Sequence, residues 1–300
     1  MLVLFDSARH RSQHLRNLMQ TVLLAAALIA LPGVVAWIVF GPDGLWWAAA
    51  MAVLALAVNP SLSPNIVLNL HRAQPLPPDV FPELHGLAAE LARRAELPIP
   101  PVLYYISSPT PNALTVGTRK HAAIAVTEGM LRILGTRQMA GVMAHEIAHL
   151  RHNDLTVLGL AAMLGRLTGI LSMVGMVLVA MALPALLMGA VELPWLWLAI
   201  MVLAPVAGDL LLLALSRTRE FEADARAVAL TGDPLGLVSA LHAIESRQGD
   251  FWFWLFGPLR QPERGRLLNT HPSTEERVRR LLALCRTALP PSIFRSGNIL

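Results

Sequence analysis

A single cysteine, Cys285, leaves this 300-residue chain unable to form an intramolecular disulfide, so its stability comes from packing and not from cross-links. Charge is scarce as well: Asp, Glu, Lys and Arg together make up 15% of the residues. That excludes a highly charged disordered chain. The basic excess, 24 Lys and Arg against 20 Asp and Glu, is scattered, which disfavours nucleic acid as a partner. No internal repeat and no low-complexity tract occurs. Hydrophobic residues, by contrast, reach 55%, with a mean hydropathy of +0.54. A soluble domain of this size is far less apolar.

The apolar residues come in long runs. Leu18 to Phe40 is long enough to cross a bilayer, and Leu45 to Val58 crosses only if it continues past Asn59 and Pro60. Thr156 to Val191 is apolar apart from Arg166, and Pro194 to Leu215 apart from Asp209, giving four expected spans. Arg9, Arg11 and Arg16 precede the first run, and nearly all other cations lie between Arg72 and Arg151 or after Ser216. The short loops Gly41 to Gly44 and Val191 to Pro194 carry none. The positive-inside rule places both termini and the region between the second and third runs in the cytoplasm. Trp46, Trp47, Trp195 and Trp197 adjoin the bare loops, as an outer aromatic belt requires. The Arg-rich lead is long and no small-residue cleavage site closes the first run, so it reads as an uncleaved anchor. Cations beside the spans suit an anionic lipid bilayer. Arg166 reads as a marker of the membrane boundary or of a polar cavity, and Asp209 as a residue near the inner face.

Between the second and third runs the pattern becomes that of a soluble domain. Pro75 to Pro78 reads as a linker and Val80 to Leu97 as an amphipathic helix. Val102 to Ile106, Ala113 to Val116 and Ala122 to Thr127 are short, rich in β-formers and bounded by Pro, Asn and Gly, so they predict strands. Gln138 to Asn153 predicts a helix with Thr136 as its N-cap. Beyond the fourth run, helices are predicted over Arg219 to Leu230, Pro234 to Ser246 and Thr274 to Leu284, the last with Ser273 and Glu276 at capping-box spacing. The aromatic run Phe251 to Phe256 fits no assigned pattern.

The helix over 138–153 carries His145-Glu146-Ile147-Ala148-His149. Positions i and i+4 share a helix face, so His145 and His149 can grip one cation while Glu146 stands beside it. Neutral imidazole suits Zn2+, and a neighbouring carboxylate can take the proton of an attacking water, which points to a zinc hydrolase. A catalytic zinc site needs a third protein ligand. Glu220 and Asp224, four apart on a predicted helix, offer one ligand and one carboxylate that orients an imidazole. A solvated charged face of Arg219, Glu220, Glu222, Asp224 and Arg226 is the equal alternative.

Five motifs in order resemble the HtpX family of membrane zinc metalloproteases, relatives of the CAAX prenyl proteases. They are PNALTVG at Pro111 to Gly117, AAIAVTEGML at Ala122 to Leu131, HEIAH at His145 to His149, SRTREFEAD at Ser216 to Asp224, and HPSTEER at His271 to Arg277. The resemblance implies an α+β zincin-like (gluzincin) catalytic domain, with a small β-sheet and the HExxH helix, combined with about four transmembrane helices. It implies one Zn2+ per chain, held by His145, His149 and Glu220, with Glu146 as general base and Asp224 behind a ligand. It implies that His271 and Arg277 lie near the scissile carbonyl, and that an edge strand at Asn112 and Ala113 pairs with the substrate backbone.

The expected organisation is 1–71 with two spans, 72–155 with the sheet and the HExxH helix, 156–215 with two further spans, and 216–300 with the third ligand. The expected activity is endopeptidase cleavage of misfolded or membrane-associated proteins at the cytoplasmic face of the inner membrane. A CAAX-type prenyl protease and a non-catalytic zinc-containing scaffold are the alternatives.

Overall fold

The computed structural model describes residues 7–57, 64–190, 192, 194–256 and 273–288. The chain divides into two units, one of residues 1–17, 60–155 and 217–300, the other of residues 18–59 and 156–216.

The second unit is helical. α1 (Ser7–Phe40) ends in a 3-10 turn (Gly41–Asp43), and α2 (Gly44–Ala57) runs back along it. A Cβ on Gly44 would lie 2.1 Å from the Ala36 carbonyl oxygen, so only glycine fits where the chain reverses. α2 then packs Ala48 against Val35 and Ala36, and Ala52 beside Leu28. α7 (Asp154–Leu187) and α8 (Trp195–Thr231) form the other hairpin. The outward faces of these helices are apolar: Leu23, Ile29, Met173, Met181 and Leu203 are all more than half exposed. Lipid is the solvent that such a surface suits. α7 and α8 approach closely at Gly208, whose added Cβ would sit 3.8 Å from the Gly165 Cα. Arg166 and Asp209, the next residue on each helix, therefore lie at one level, both exposed.

Three stretches are long and apolar enough to cross a membrane, Met19–Leu54, Asp154–Leu187 and Trp195–Thr231. The sequence suggested four. The difference lies in the first stretch, which folds as α1 and α2. With 14 described residues, α2 covers about 21 Å at 1.5 Å per residue; Val58, Asn59 and Pro60, where the second run would continue, lie outside the described residues.

The first unit holds a four-stranded mixed sheet of order β1-β2-β4-β3, with β1 (Gln74–Pro75), β2 (Val102–Ile106), β3 (Ala113–Thr118) and β4 (His121–Thr127). β2 and β4 are parallel, and β3 returns antiparallel to β4 with Ala113 opposite Val126 and Thr118 opposite His121. Gly117 makes that return possible. Its φ of +96 suits glycine, and a Cβ there would meet the His121 carbonyl oxygen at 2.0 Å. Because strand side chains alternate, Leu103, Ile124 and Val126 face one core, while Ile106, Val116, Ala123 and Ala125 face another, closed by Leu68 of α3 (Pro64–Leu70).

Against the first face lie α4 (Pro82–Arg94), α6 (Thr136–His152), α9 (Pro234–Phe256) and α10 (Thr274–Ala288), while α5 (Glu128–Ile133) follows β4. α6 buries Met143, Ala144, Ile147 and Leu150. At Gly141 it meets α9 so closely that a Cβ would stand 2.9 Å from the Leu237 Cα.

Several boundaries differ from the sequence expectation. The N-cap of α6 is Gly135, whose N–H donates to Gln138 Oε1 at 3.0 Å; Thr136 is already helical. The fourth apolar run and the helix expected over Arg219 to Leu230 are one helix, α8, because no breaker separates Leu215 from Arg219. α9 continues through the aromatic run to Phe256, since nothing after Ser246 stops it.

Asp233 caps α9: its Oδ1 accepts the Gly236 N–H at 3.0 Å, and the same carboxylate pairs with Arg137 at the start of α6. The Arg137 guanidinium holds the Asp233 carboxyl below its ordinary value of 3.8, with the Gly236 N–H adding to this and partial burial opposing it. A carboxyl depressed by folding contributes stability above its unfolded pKa and loses it as pH falls through the folded one. Asp233→Ala should therefore cost about 1–2 kcal/mol at neutral pH, combining a cap with a partly exposed ion pair. In detergent, the difference in thermal midpoint between wild type and variant should shrink once the pH drops below about 4.

Candidate metal centre

α6 and α8 bring three donors together. His145 and His149, one helical turn apart, present their Nε2 atoms to each other at 3.1 Å with the rings edge-on. Glu220 of α8 approaches both, Oε2 at 3.5 Å from His145 Nε2 and Oε1 at 3.7 Å from His149 Nε2. One ligand atom from each residue lies within 4.8 Å of the others, and all three side chains are buried. The His145-His149-Glu220 cluster has the composition and size of a tetrahedral site with one open position.

The far nitrogens of the imidazoles are fixed as well. His145 Nδ1 faces Asp224 Oδ1 at 2.9 Å, and His149 Nδ1 faces Asp154 Oδ2 at 3.0 Å. Each carboxylate accepts an N–H at Nδ1, which selects the tautomer that leaves Nε2 with a lone pair. Arginines hold the carboxylates in turn. Arg277 of α10 donates to Asp224 through Nε at 2.8 Å and Nη2 at 2.6 Å, and Arg219 Nη1 lies 3.1 Å from Asp154 Oδ1.

Charge gives an independent test of the fit. Glu146, Asp154, Glu220 and Asp224 face the two guanidinium groups of Arg219 and Arg277, a surplus of two negative charges in a largely buried place. A divalent cation neutralises that surplus. His145 reports the same field. Burial alone would lower its pKa, but the hydrogen bonds to Asp224 and Glu220 outweigh burial and the repulsion of Arg277, raising it to about 10.

Glu146, next to His145 on α6, is half-buried. The Thr115 hydroxyl of β3 donates to its Oε2. The strand expected to guide substrate thus touches the acid-base candidate directly. Asn112 and Ala113 lie where β3 begins: the Asn112 N–H donates to Thr127 Oγ1 at 2.8 Å, and Ala113 opens the edge strand. Among the described residues, the other edge of β3 pairs with no strand.

His145, Glu146, His149, Glu220, Asp224 and Arg277 therefore converge, although the chain separates the first from the last by 132 positions. Arg277 stands beside the cluster. Its Nε and Nη2 are committed to Asp224, and Nη1 lies 3.7 Å from Glu220 Oε2, because a buried guanidinium needs carboxylate partners. His271 lies outside the described residues. Sequence reasoning did not single out Thr115, Asp154 or Arg219 for the site. Asp154 carried a weak signal, an acid one step past the helix that bears His149; Thr115 carried none. His152 is half-buried, and burial together with the Arg226 charge lowers it to about 4, which keeps it neutral.

The chain belongs to Peptidase family M48, whose model matches residues 78–284. It is similar to the protease HtpX homolog of Burkholderia multivorans, 34% identical over 291 residues, covering 90% of this chain and 98% of that protein. The protease HtpX homolog of Burkholderia thailandensis is 35% identical over 290 residues with the same coverage. Among solved structures, the crystal structure of S. mikatae Ste24p shares the fold, with a TM-score of 0.50 and 20% identity. That match covers 90% of this chain and 66% of Ste24p. The chain is accordingly a membrane metalloprotease, and its small mixed sheet with surrounding helices is the M48 peptidase fold.

Asp154→Asn should weaken metal binding about 10–100-fold, the usual cost of removing a carboxylate behind a ligand imidazole. Competition with a chelator of known affinity measures it, and unchanged affinity would remove Asp154 from the site.

Proposed function

We propose that this chain is a zinc-dependent endopeptidase of the inner membrane, anchored by four apolar segments, with its gluzincin-type catalytic unit and both termini in the cytoplasm. In this reading His145, His149 and Glu220 hold one Zn2+. The observation that carries it is the meeting of those three donors beside a carboxylate, Glu146, that no ligand role consumes. When bound, zinc supplies Lewis acidity, polarising water and a peptide carbonyl so that hydrolysis runs near neutral pH.

The protein's own groups do the rest. Glu146 accepts the proton of the attacking water and delivers it to the departing amine, which breaks the peptide bond without leaving a charged nitrogen anion. Thr115 holds one oxygen of that carboxylate, so the other is aimed at the proton. Asp224 and Asp154 keep His145 and His149 in register. Arg277 works through Asp224 as a positioning residue, and His271 is carried as a donor toward the oxyanion by family resemblance. The free edge of β3, which starts at Ala113 just after Asn112 is tied to Thr127, offers backbone N–H and C=O groups to an extended peptide without reading its side chains. Such recognition suits unfolded segments of many sequences. Misfolded membrane and membrane-associated proteins are therefore the substrates, and quality control is the role. The Burkholderia relatives are proteases by name, which agrees with the reaction; the likeness to Ste24p concerns fold and lends no support to prenylated substrates.

Glu146→Gln should lower kcat/KM about 10^2 to 10^4-fold while the purified protein keeps its zinc by elemental analysis. A variant that cleaves an unfolded substrate such as casein at the wild-type rate would falsify the mechanism. Thr115→Val should reduce kcat about tenfold with KM little changed, since a hydrogen bond to a charged group is worth roughly 1.5–3 kcal/mol and part of it serves alignment. An effect confined to KM would assign Thr115 to substrate binding instead.

A further inference from the structure

One apolar face of the sheet-bearing unit has no part in hydrolysis. α3 inserts Leu68 into the sheet face of Ile106, Val116, Ala123 and Ala125. Its opposite side carries Ile66 and Leu70, 59% and 79% exposed. Spaced i and i+4, they stand side by side on the helix. Gly117 fixes what adjoins them: a Cβ there would come within 2.9 Å of the Pro64 ring, so the start of α3 abuts the β3–β4 turn.

That turn is Thr118-Arg119-Lys120-His121, with Lys120 and His121 exposed. The buried Nε of Arg119 has no hydrogen-bond partner. Arg72, exposed, follows the C-terminus of α3. Neither residues 64–78 nor residues 97–127 include a single Asp or Glu. The face is thus apolar at its centre, cationic at its border and free of acids along both segments that build it.

An apolar helix face bordered by cations is what binds an anionic bilayer surface: the aliphatic side chains enter the boundary between headgroups and acyl chains, and the cations meet phosphate. Chain continuity selects lipid over a protein partner. The apolar stretch Met19–Leu54 ends at Leu54, and α3 begins at Pro64, so a chain that has just left the bilayer reaches this helix within ten residues.

We infer that α3 and the β3–β4 turn form a foot that rests on an anionic leaflet, with Ile66 and Leu70 in its boundary and Arg72, Arg119 and Lys120 on its phosphates. β3 runs from Asn112 directly into this turn, so the foot sets the open edge of the strand relative to the bilayer surface. A polypeptide segment emerging from the membrane would meet that edge first. The inference deepens the proposed reading by saying where substrate is met; it rests on the membrane placement, not on the chemistry of cleavage.

The test uses the full chain with Cys285→Ser and single cysteines, Ile66→Cys, Leu70→Cys or Leu235→Cys, each bearing an environment-sensitive fluorophore. Leu235, 52% exposed at the start of α9, is the reference. The protein is reconstituted in phosphatidylcholine vesicles with or without phosphatidylglycerol. Brominated acyl chains should quench labels at 66 and 70 at least about twofold more than at 235 in anionic vesicles. The excess should fall with phosphatidylcholine alone, or with Arg119→Gln and Lys120→Gln together.

Free access of aqueous iodide to 66 and 70, as at 235, would overturn the inference. So would lipid quenching indifferent to lipid charge. Protection from both quenchers that varies with protein-to-lipid ratio would place a second copy on the face and overturn it too. Casein cleavage by the same vesicles is read in parallel, so loss of the lipid contact with proteolysis intact separates this inference from the catalytic reading.

Discussion

Two imidazoles ringed by buried carboxylates are held in place by opposite charge, and this constraint organises the rest of the catalytic unit. Glu220 and Asp224 come from α8, Asp154 from the start of α7, Glu146 and both histidines from α6, and Arg277 from α10. Each buried charge would be costly alone. The buried carboxylates are answered by neighbours from other elements, so breaking one partner would leave an uncompensated charge beside the apolar core of Met143, Ile147 and Leu237. The remaining negative surplus is what makes the place suited to a divalent cation and unsuited to an empty hydrophobic interior.

Helix continuity explains how ligands so far apart in sequence are presented reliably. α6 passes into α7 through one left-handed residue, Asn153, with φ 54, and α8 runs unbroken from Trp195 to Thr231. Glu220 and Asp224 lie one turn apart on α8, and Asp154 is the first residue of α7. Asn at the α6–α7 junction tolerates the left-handed conformation better than most residues, and the absence of any breaker after Leu215 keeps α8 continuous.

Much of this was legible because it is local. Strands over Val102 to Ile106 and near Ala122 to Thr127 follow from β-formers between Pro, Asn and Gly, and the HExxH spacing declares a shared helix face wherever it occurs. Elements whose form depends on partners were not legible. β1 is Gln74 and Pro75, the latter the first residue of the expected linker, and the two become a strand because Tyr104 and Tyr105 lie opposite them. α3 is a short helix stabilised by the sheet it covers. Four apolar runs were visible, but that the second folds back on the first depends on the reversal at Gly44.

From residue order alone came the membrane character of the chain, the imidazole pair with its carboxylate, and the candidate status of Glu220, since hydropathy and helical spacing are properties of neighbours along the chain. Tertiary structure decided that Glu220 meets the imidazoles and is not a solvated acid, that Thr115 reaches Glu146 and Asp154 reaches His149, and that Arg277 pairs with Asp224. Those outcomes depend on distances between elements that share no sequence period, and only packing sets such distances.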